Sequence, residues 1–292
     1  MSPEIDTRIH AIDFERQIVE AALSEQFPRF QVVEPYYVQA DKQFALHSRP
    51  DSTSPQVTEA LLGEGLEVIQ DLDGGWSWVR TISDQYLGYA KSDNLLPMGD
   101  GYDGVQVQIL RAHVFKEPRI QGTILGRLSY GSSIHVTSDS EQHGDYLWWR
   151  VKFGGTDGFV RTCVTDVQDT EPGSSEFLFQ SLGVPYLWGG RTAWGLDCSG
   201  LAQLHAGKDE HGRSRLPRDA DQQQAATHPV EVPEAGDLAF FPGHVGIMLD
   251  ERRMIHANAT HMAVSIEALG EGAYGRRLQA GLTGYGRLRE RA

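Results

Sequence analysis

The sequence of 292 residues has a formal net charge of −14, which disfavours binding to nucleic acid, or to anionic wall polymers by charge alone. This length is typical of two or more domains, and 40% of the residues are hydrophobic, enough for substantial cores. No run approaches the roughly 18–20 apolar residues that cross a bilayer, so we expect no membrane partner.

The start of the chain and its cysteines bear on the cellular compartment. Residues 1–6 lack the basic region and the apolar stretch of a secretory signal, so we expect none. The two cysteines are Cys163, interpreted as a small strand residue, and Cys198. If Cys198 is a reactive thiol, no structural disulfide is expected, which favours the reducing cytoplasm as the location.

Residues 1–30 have the apolar spacing of a helix. The apolar residues of this stripe are Ile9, Ile12, Phe14, Ile18, Val19, Ala22 and Leu23. They recur at helical intervals, and the pattern ends near Phe27-Pro28. We therefore predict a helical segment that packs on a neighbouring domain and carries no chemistry.

An internal repeat occupies residues 31–168. Gly63 matches Gly131 at an offset of 68 and, after a two-residue insertion, residues 74–80 match 144–150 at an offset of 70. Each copy has short alternating strands between clusters of turn-forming residues, a pattern typical of a small β-barrel. We predict two such domains, at 31–99 and 103–168.

The two copies differ in polarity at three aligned positions. These positions are Glu64 and Ser132, Tyr86 and Thr156, and Tyr89 and Phe159. The first copy thus carries a carboxylate and two phenols that the second copy lacks. A binding role for the first copy would explain this difference, and so would ordinary drift between duplicated copies.

Residues 172–292 have the pattern of an α+β domain. Helices are predicted at 174–182, from Cys198 to a stop at Gly207, and from about residue 216 to 223. Strands are predicted at 237–241, 244–249, 253–257 and 284–289. The turn at Pro242-Gly243 joins the first two strands as a hairpin, and the third is close enough in sequence to pair with it.

Cys198 is a candidate nucleophile because of its place at a helix start. A thiol there faces free backbone N–H groups and the positive end of the helix dipole, which both favour the thiolate. With a histidine beside it, such a site lowers the cysteine pKa from about 8.5 to roughly 3.5–7.5, and we predict a lowered pKa here. A buried structural cysteine in a tight turn is the alternative for this residue alone.

Two histidines complete a catalytic set. His244 opens the second strand and His256 lies near the end of the third, so the two can lie side by side on one sheet face. A nucleophile needs a base and a third group that orients the base, and an imidazole can accept with one nitrogen and donate with the other. We therefore assign Cys198 as nucleophile, His244 as base and His256 as the orienting group. Zinc binding by the same residues is disfavoured because no fourth ligand has a recognisable spacing, and we expect no metal or other cofactor.

Together these motifs resemble the NlpC-type family of cell-wall cysteine peptidases. The motifs are Tyr-x-Trp-Gly-Gly at 186–190, Asp-Cys-Ser-Gly at 197–200, Gly-His-Val-Gly at 243–246 and Ile-His-Ala at 255–257. The resemblance implies a papain-like core that cuts murein peptides after γ-D-glutamate. It implies the same roles for Cys198, His244 and His256.

The resemblance also suggests which residues bind the substrate. It places Tyr186 near the oxyanion hole, and Asp197 and Ser199 near the amino end of the substrate. Arg218 and Asp219 are further candidates, since the matching motif lies close to the substrate groove in the family. Helix capping is the alternative for these last two residues.

The repeat resembles the bacterial SH3 domains that accompany this peptidase family. In relatives with this layout, the first SH3 domain borders the active site and helps to hold the free amino end of the peptide. Glu64, with Tyr86 or Tyr89, is the candidate for that contact. The implied substrate is a free murein peptide that begins L-Ala-γ-D-Glu, followed by a diamino acid, as in cytoplasmic recycling of wall peptides.

Other functions stay open at this point. The chain would also suit a secreted or phage-borne hydrolase of intact murein, with the SH3 domains as wall anchors. An amidase or acyltransferase on the same core is a third class. A protein that only binds would leave the set of one cysteine and two histidines unexplained.

Overall fold

The computed structural model describes residues 5–98, 104–166 and 174–289. Strands predominate, and helices are few. The chain divides into two compact units: the first comprises Met1–Gln106 with His113–Thr162, and the second Val107–Ala112 with Cys163–Ala292. Among the described residues, no helix combines the length and the apolar character needed to cross a membrane.

The helix predicted within residues 1–30 is wrong for the described part of that segment. It forms a small sheet, with a 3-10 turn at Ala21–Leu23, from β1 (Ile12–Asp13), β2 (Ile18–Val19) and β3 (Gln31–Val32). Ile12 pairs with Val19, so apolar residues at helical spacing reach a core from two strands. Gln17, in the turn between them, has a φ of 55°, a left-handed conformation that an α-helix does not contain.

The first copy of the repeat folds as a seven-stranded sheet. Its strands are β4 (Tyr36–Ala40), β5 (Phe44–His47), β6 (Gln56–Ala60), β7 (Gly65–Leu72), β8 (Trp76–Thr81), β9 (Leu87–Lys91) and β10 (Leu95–Pro97). Their order in the sheet is β10-β4-β7-β8-β9-β5-β6. Leu46, Leu66 and Val79 are fully buried in its core.

Arg80, on β8, joins the N-terminal segment to this sheet. Its Nη1 donates to the carboxylate of Glu20 and to the carbonyl of Ile9, and its Nε donates to Glu67 at 2.7 Å. The side chains of Arg80, Glu20 and Glu67 are only 13%, 10% and 15% exposed. The N-terminal segment is therefore held to the sheet by a largely buried ion network.

The second copy has the strand order of the first. Its strands are β11 (Val105–Gln106), β12 (Arg111–Phe115), β13 (Ile124–Ser129), β14 (Ser133–Val136), β15 (Glu141–His143), β16 (Tyr146–Phe153) and β17 (Thr156–Arg161). Their order is β11-β14-β16-β17-β12-β13, with β15 paired to β16. When β4 to β9 are matched to β11, β12, β13, β14, β16 and β17, the two strand orders are the same.

The structure corrects the sequence alignment at one point. Trp148 was aligned with Trp78, but its counterpart in the fold is Trp76, an offset of 148 − 76 = 72. The two tryptophans have matching surroundings. Trp76 lies edge-on to the ring of His47 and Trp148 edge-on to that of Phe115, each with centroids 5.7 Å apart. A cation lies over each indole ring, Lys91 over Trp76 and Arg161 over Trp148. The offset is 70 again at Gly88 and Gly158, because the intervening hairpin is two residues shorter in the second copy.

The second unit builds a six-stranded sheet between helices. Its helices are α1 (Ser175–Phe179), α2 (Cys198–Ala206), α3 (Ala220–Ala226) and α4 (Gly272–Gly281). Its strands are β18 (Arg191–Thr192), β19 (Gly195–Leu196), β20 (His228–Val230), β21 (Leu238–Phe241), β22 (His244–Met248), β23 (Arg253–Asn258), β24 (Ala263–Ala268) and β25 (Gly284–Arg287). The sheet order is β20-β25-β21-β22-β23-β24, and β18 pairs with β19.

Two buried clusters hold α2 and α4 to this sheet. Leu201 of α2 packs with Val245 and Ile255 in one cluster, and Leu278 of α4 packs with Met254 in the other. The neighbours Met254 and Ile255 point to opposite faces of β23, so α2 and α4 lie on opposite faces of the sheet.

Most of the elements predicted for this unit are confirmed. Helix α2, the three strands around the two histidines and the terminal strand lie within a residue or two of their predicted positions. Helix α1 is shorter than predicted, and α3 begins at Ala220. Helix α4 and strand β24 were not predicted.

Candidate active site

The local sequence fixes Cys198 as the first residue of α2. Asp197 precedes it in an extended conformation and caps the helix, since its carboxylate accepts from the N–H of Gly200 at 2.7 Å. Cys198 is buried, and backbone groups of Ser199 and Val245 hydrogen-bond to its thiol. Because Val245 follows His244 on β22, the sulfur lies beside the strand that carries the predicted base.

Burial overturns the predicted pKa of Cys198. Loss of solvent, and then the nearby charge of Asp197, raise the pKa of the thiol to about 11. The backbone hydrogen bonds at the helix start lower it, as predicted, but by less than burial raises it. At neutral pH the resting site therefore holds a neutral thiol, and the thiolate must form by proton transfer during the reaction.

The two histidines meet as predicted. Nε2 of His244 lies 2.7 Å from Nδ1 of His256, and their ring centroids are 5.0 Å apart. Strands β22 and β23 pair antiparallel, and a Cβ placed on Gly246 would lie 3.3 Å from the Cβ of His256. His244 stands two residues before Gly246, so its side chain points to the same face of the sheet.

The histidine pair has a definite proton arrangement if His244 acts as base. Since Nε2 of His244 is engaged with His256, the ring nitrogen left to take the thiol proton is Nδ1, and it must be unprotonated. Nε2–H of His244 then donates to Nδ1 of His256, and the proton of His256 is on Nε2. Burial lowers the pKa of His244 to about 4 and that of His256 to about 3, so both rings are neutral near pH 7.

Tyr274 is a neighbour of this pair that the sequence analysis missed. Its ring stacks on that of His256, with centroids 5.8 Å apart and planes inclined by 26°. His256 has no exposed surface, and its Nε2 has no hydrogen-bond partner among the described residues. Tyr274 belongs to α4, which carries no sequence motif, so spacing alone gave no signal.

A buried network of charged and polar groups surrounds the start of α2. Arg218 donates from Nη1 and Nη2 to Asp197 at 3.0 and 2.6 Å, and from Nη1 to the hydroxyl of Ser199 at 2.9 Å. Asp197 also accepts from the N–H of Gly189 at 2.9 Å, in addition to its cap on Gly200. Asp197 and Ser199 thus flank Cys198, with their side chains engaged within the protein, and their predicted place near the amino end of the substrate stays a prediction.

The predicted oxyanion residue, Tyr186, also lies near the thiol. The backbone N–H of Tyr186 donates to the carbonyl of Met262 at 2.9 Å, and the residue forms an isolated β-bridge with Leu196. Burial, and then the charges of Cys198 and Asp197, raise the pKa of Tyr186 to about 12. The phenol therefore stays protonated and can donate a hydrogen bond to a developing oxyanion; its role there remains a prediction.

Asp219 caps a helix, the alternative to substrate binding for this residue. It is the N-cap of α3, in a capping box with Gln222, whose side chain accepts from the N–H of Asp219 at 3.3 Å. Arg218 does not cap a helix and is 99% buried. A direct contact of either residue with substrate remains untested.

The three candidates in the first unit have identifiable structural roles. Glu64 is buried and accepts from the N–H of Leu61 at 2.9 Å and from the hydroxyl of Ser83. Tyr86 is buried, and Tyr89 stacks at 6.3 Å on a neighbouring tryptophan. Whether Glu64, Tyr86 or Tyr89 contacts a substrate stays a prediction.

In residues 5–98, 104–166 and 174–289, no group of three or more histidine, cysteine, aspartate or glutamate side chains is arranged to hold a metal ion. Cys163 and Cys198 form no disulfide.

Comparison with known families identifies two domains. Residues 183–282 match the NlpC/P60 family, and residues 46–95 match the bacterial dipeptidyl-peptidase SH3 domain. The second unit therefore contains an NlpC/P60 domain with a papain-like fold, and the first sheet is a bacterial SH3 domain. The first match includes Cys198, His244 and His256.

Individual relatives point to the same class of enzyme. The chain is 28% identical over 243 residues to dipeptidyl-peptidase 6 of Lysinibacillus sphaericus, a match that covers 77% of this chain and 89% of that protein. It is 34% identical over 136 residues to the gamma-D-glutamyl-L-lysine dipeptidyl-peptidase of Bacillus subtilis strain 168, covering 42% of this chain and 45% of that one. These relatives support a peptidase.

A solved structure has the same fold over most of the chain. The NlpC/P60 family protein of Bacillus cereus ATCC 10987 superposes with a TM-score of 0.67 and 21% identity. The match covers 86% of this chain and 99% of that one. The fold is therefore similar to that of a solved NlpC/P60 family protein.

Proposed function

We propose that the protein is a cysteine peptidase that hydrolyses the bond between γ-D-glutamate and a diamino acid in free murein peptides. The observation that carries the proposal is the 2.7 Å contact between Nε2 of His244 and Nδ1 of His256. Val245, the residue after His244, hydrogen-bonds through its backbone to the Cys198 thiol, which places the thiol beside this histidine pair. This is the order of nucleophile, base and orienting group that acyl transfer requires. The naming of relatives as dipeptidyl-peptidases supports the substrate class.

The first half of the reaction forms a thioester. Nδ1 of His244 takes the proton of the Cys198 thiol as the sulfur attacks the γ-carbonyl carbon of the glutamate. The C–N bond then breaks, and His244 returns that proton to the leaving amine of the diamino acid. The phenol of Tyr186 and the N–H groups at the start of α2 are the available donors for the oxyanion.

The second half of the reaction releases the product. A water molecule replaces the leaving amine, and His244 takes one of its protons as the oxygen attacks the thioester carbon. The C–S bond breaks, and His244 gives the proton to the sulfur of Cys198. The products are a free γ-carboxylate on glutamate and the original thiol, so the cycle needs no cofactor.

Recognition of a free amino end is assigned to the first SH3 domain. Glu64, with Tyr86 or Tyr89, supplies a carboxylate and phenols that suit the ammonium group of an N-terminal L-Ala. The second sheet repeats the strand order of the first, and we assign it as a second SH3 domain without such a site. A peptidase with this preference would act on released peptides and spare peptides still attached to glycan.

The same preference fits a role in recycling wall peptides in the cytoplasm. The supporting feature is that Cys163 and Cys198 are free thiols, as is usual in a reducing compartment. Fractionation of intact cells tests this location. Recovery of most of the protein outside the cytoplasmic membrane would favour the secreted wall hydrolase instead.

The activity is tested with a purified peptide of sequence L-Ala-γ-D-Glu-diamino acid. Mass spectrometry should find the dipeptide L-Ala-D-Glu and the released diamino acid. Cys198→Ala is the matched control and should give neither product while keeping the wild-type unfolding temperature. Turnover by a purified Cys198→Ala sample would overturn the nucleophile, and products cut at another bond would overturn the assigned specificity.

A further inference from the structure

Arg218 is the most buried charged residue beside the proposed nucleophile, with only 1% of its surface exposed. Its guanidinium makes two hydrogen bonds to Asp197, the residue before Cys198, at 3.0 and 2.6 Å. A third, at 2.9 Å, reaches the hydroxyl of Ser199, the residue after Cys198. Arg218 therefore holds the two sequence neighbours of the thiol from a separate segment of the chain.

We propose that Arg218 is a positioning residue that fixes the start of α2 around Cys198 and cancels the negative charge of Asp197 beside the thiol. This inference rests on the proposed function in one respect, since it takes Cys198 as the nucleophile. This role takes the place of the direct substrate contact that the sequence suggested for Arg218, because a guanidinium this deeply buried and already paired has little surface to offer a ligand.

The positioning role follows from what Asp197 connects. One of its oxygens caps α2 through Gly200 at 2.7 Å, and the other accepts from Gly189 in the glycine loop at 2.9 Å. A Cβ placed on Gly200 would lie 2.3 Å from the carbonyl oxygen of Gly190, so loop and helix start are in direct contact. By fixing Asp197, Arg218 fixes the loop and the helix together.

The electrostatic role follows from the opposite effects that Asp197 and Arg218 have on the thiol. The carboxylate of Asp197 disfavours a thiolate on Cys198, whereas the guanidinium of Arg218 favours it. The same pair acts with the same opposite signs on the phenol of Tyr186. Without Arg218, a buried carboxylate would face the sulfur uncompensated, and proton transfer from the thiol would become harder.

The geometry explains why arginine occupies this position. A guanidinium presents its donors in a rigid planar fork, which matches both oxygens of a carboxylate at once. Lysine would keep the charge but would lose the fork, and with it the simultaneous hold on Ser199. The two roles of Arg218 can therefore be separated by substitution.

The experiment measures the rate of alkylation of Cys198 by iodoacetamide against pH, below the pKa of the thiol, together with peptide turnover. Cys163→Ala in every sample keeps the signal on Cys198. The variants are Arg218→Lys, Arg218→Met and the charge-neutral pair Asp197→Asn with Arg218→Met, since asparagine still caps a helix. Alkylation needs no substrate, so it reports on Arg218 even if the proposed substrate is wrong.

We expect Arg218→Met to slow alkylation at a given pH by about tenfold or more, which corresponds to one unit of thiol pKa. The double variant should recover most of that rate, and Arg218→Lys should alkylate at nearly the wild-type rate. All three should lose turnover through kcat, because the loop and helix start are no longer held. If Arg218→Met does not fold, the double variant and Arg218→Lys still carry the test.

The two roles of Arg218 can each be overturned by their own results. Equal alkylation rates in wild type and Arg218→Met, or a double variant as slow as Arg218→Met, would remove the electrostatic role. If Arg218→Met does not fold, an alkylation rate of the double variant well below that of wild type would remove the electrostatic role. Wild-type kcat in Arg218→Lys would remove the positioning role, since lysine cannot hold both neighbours of Cys198.

Discussion

Nε2 of His244 lies 2.7 Å from Nδ1 of His256, and the two rings form a relay in which the acceptor is neutral. A carboxylate in the same place would add a negative charge that stabilises the imidazolium of His244. His256 supplies only a hydrogen-bond acceptor, because burial lowers its pKa to about 3. In the proposed mechanism, His256 therefore acts by orienting His244, and less by charge.

This relationship predicts an order of severity among the catalytic variants. His244→Ala should lower kcat/KM by about 10²–10⁴-fold, the usual contribution of a general base. His256→Ala should lower it less, because His244 keeps its proton-carrying nitrogen and loses only its orientation. Steady-state kinetics on the free peptide provides the measurement. A His256→Ala variant as inactive as His244→Ala would assign His256 a direct part in proton transfer.

Tyr274 should matter for turnover and not for binding. Its ring stacks on His256, whose second nitrogen has no hydrogen bond among the described residues, so packing fixes the outer edge of the pair. Tyr274→Leu should lower kcat severalfold with little change in KM, whereas Tyr274→Phe keeps the stack and should stay near wild type. An aromatic pair of this kind is worth about 0.5–1.5 kcal/mol.

A matched control separates this effect from loss of core packing. Tyr285 packs in the same buried cluster as Tyr274 but makes no ring contact with His256. Tyr285→Leu should therefore change stability by a similar amount and leave kcat unchanged. If the two leucine variants lose kcat equally, the stack has no specific role in catalysis.

The buried histidines predict a loss of stability in mild acid. Burial lowers the pKa of His244 from 6.5 to about 4 and that of His256 to about 3. Below about pH 6.5 the unfolded chain binds protons that the folded chain excludes, so the free energy of unfolding falls as pH falls toward 4. Above that pH both rings are neutral in both states, and this contribution to stability is fully present.

Urea unfolding of wild type and His256→Asn, at a series of pH values, measures this effect. Asparagine does not titrate, so the slope of stability against pH between about 6.5 and 4 should be shallower in the variant. Carboxylates titrate equally in both proteins and cancel in the comparison. Identical slopes would show that His256 is not held neutral by burial.

The ion network of Arg80 should be far more important for stability than a surface pair. Replacing Arg80 with methionine leaves Glu20 and Glu67 without their partner in a largely buried site, a loss of the kind that costs about 3–5 kcal/mol. Arg253→Met is the control, since Arg253 pairs with Asp250 at the surface, where solvent screens the pair and it contributes little to stability. Equal unfolding temperatures for the two variants would contradict a structural role of the N-terminal segment.

The catalytic elements could be predicted because their signals are local. Asp197 is a helix cap, Gly207 ends the helix with a φ of 71°, and Pro242-Gly243 marks a tight turn between two apolar strands. These features place Cys198 and His244 at element starts. A diagonal contact between the two histidines then follows from strand pairing.

Features that depend on tertiary packing could not be predicted in the same way. The apolar stripe around Ile12 and Val19 fits a helix and a hairpin equally well, and pairing across the turn at Gln17 decides for strands. The pKa of Cys198 depends on its burial, which a helix start does not reveal. The partners of Arg218 are about twenty residues away in sequence, so no spacing rule identifies them.

The last prediction concerns the free amino end of the substrate. Glu64 is a buried carboxylate in the SH3 domain, and the aligned position in the second sheet is occupied by Ser132. Both side chains accept from the backbone N–H three residues earlier, Leu61 at 2.9 Å and Ser129 at 3.3 Å, so the turn itself needs no carboxylate. We predict that the extra negative charge of Glu64 binds the ammonium group of the substrate.

Comparing L-Ala-γ-D-Glu-diamino acid with its N-acetylated form tests this idea. Acetylation removes the positive charge and leaves a buried acceptor without its partner, which costs about 1–3 kcal/mol, so kcat/KM should fall between tenfold and several hundredfold in wild type. Glu64→Gln keeps the hydrogen bond of the turn and removes the charge. Its kcat/KM on the peptide with a free amino end should therefore fall toward that on the acetylated peptide, and most of the discrimination should be lost. Ser83→Ala, which removes the other neighbour of Glu64, is the control for local damage and should keep the preference. Equal rates on the two peptides in wild type would eliminate recognition of the amino end, whereas undiminished selectivity in Glu64→Gln would assign that recognition to residues other than Glu64.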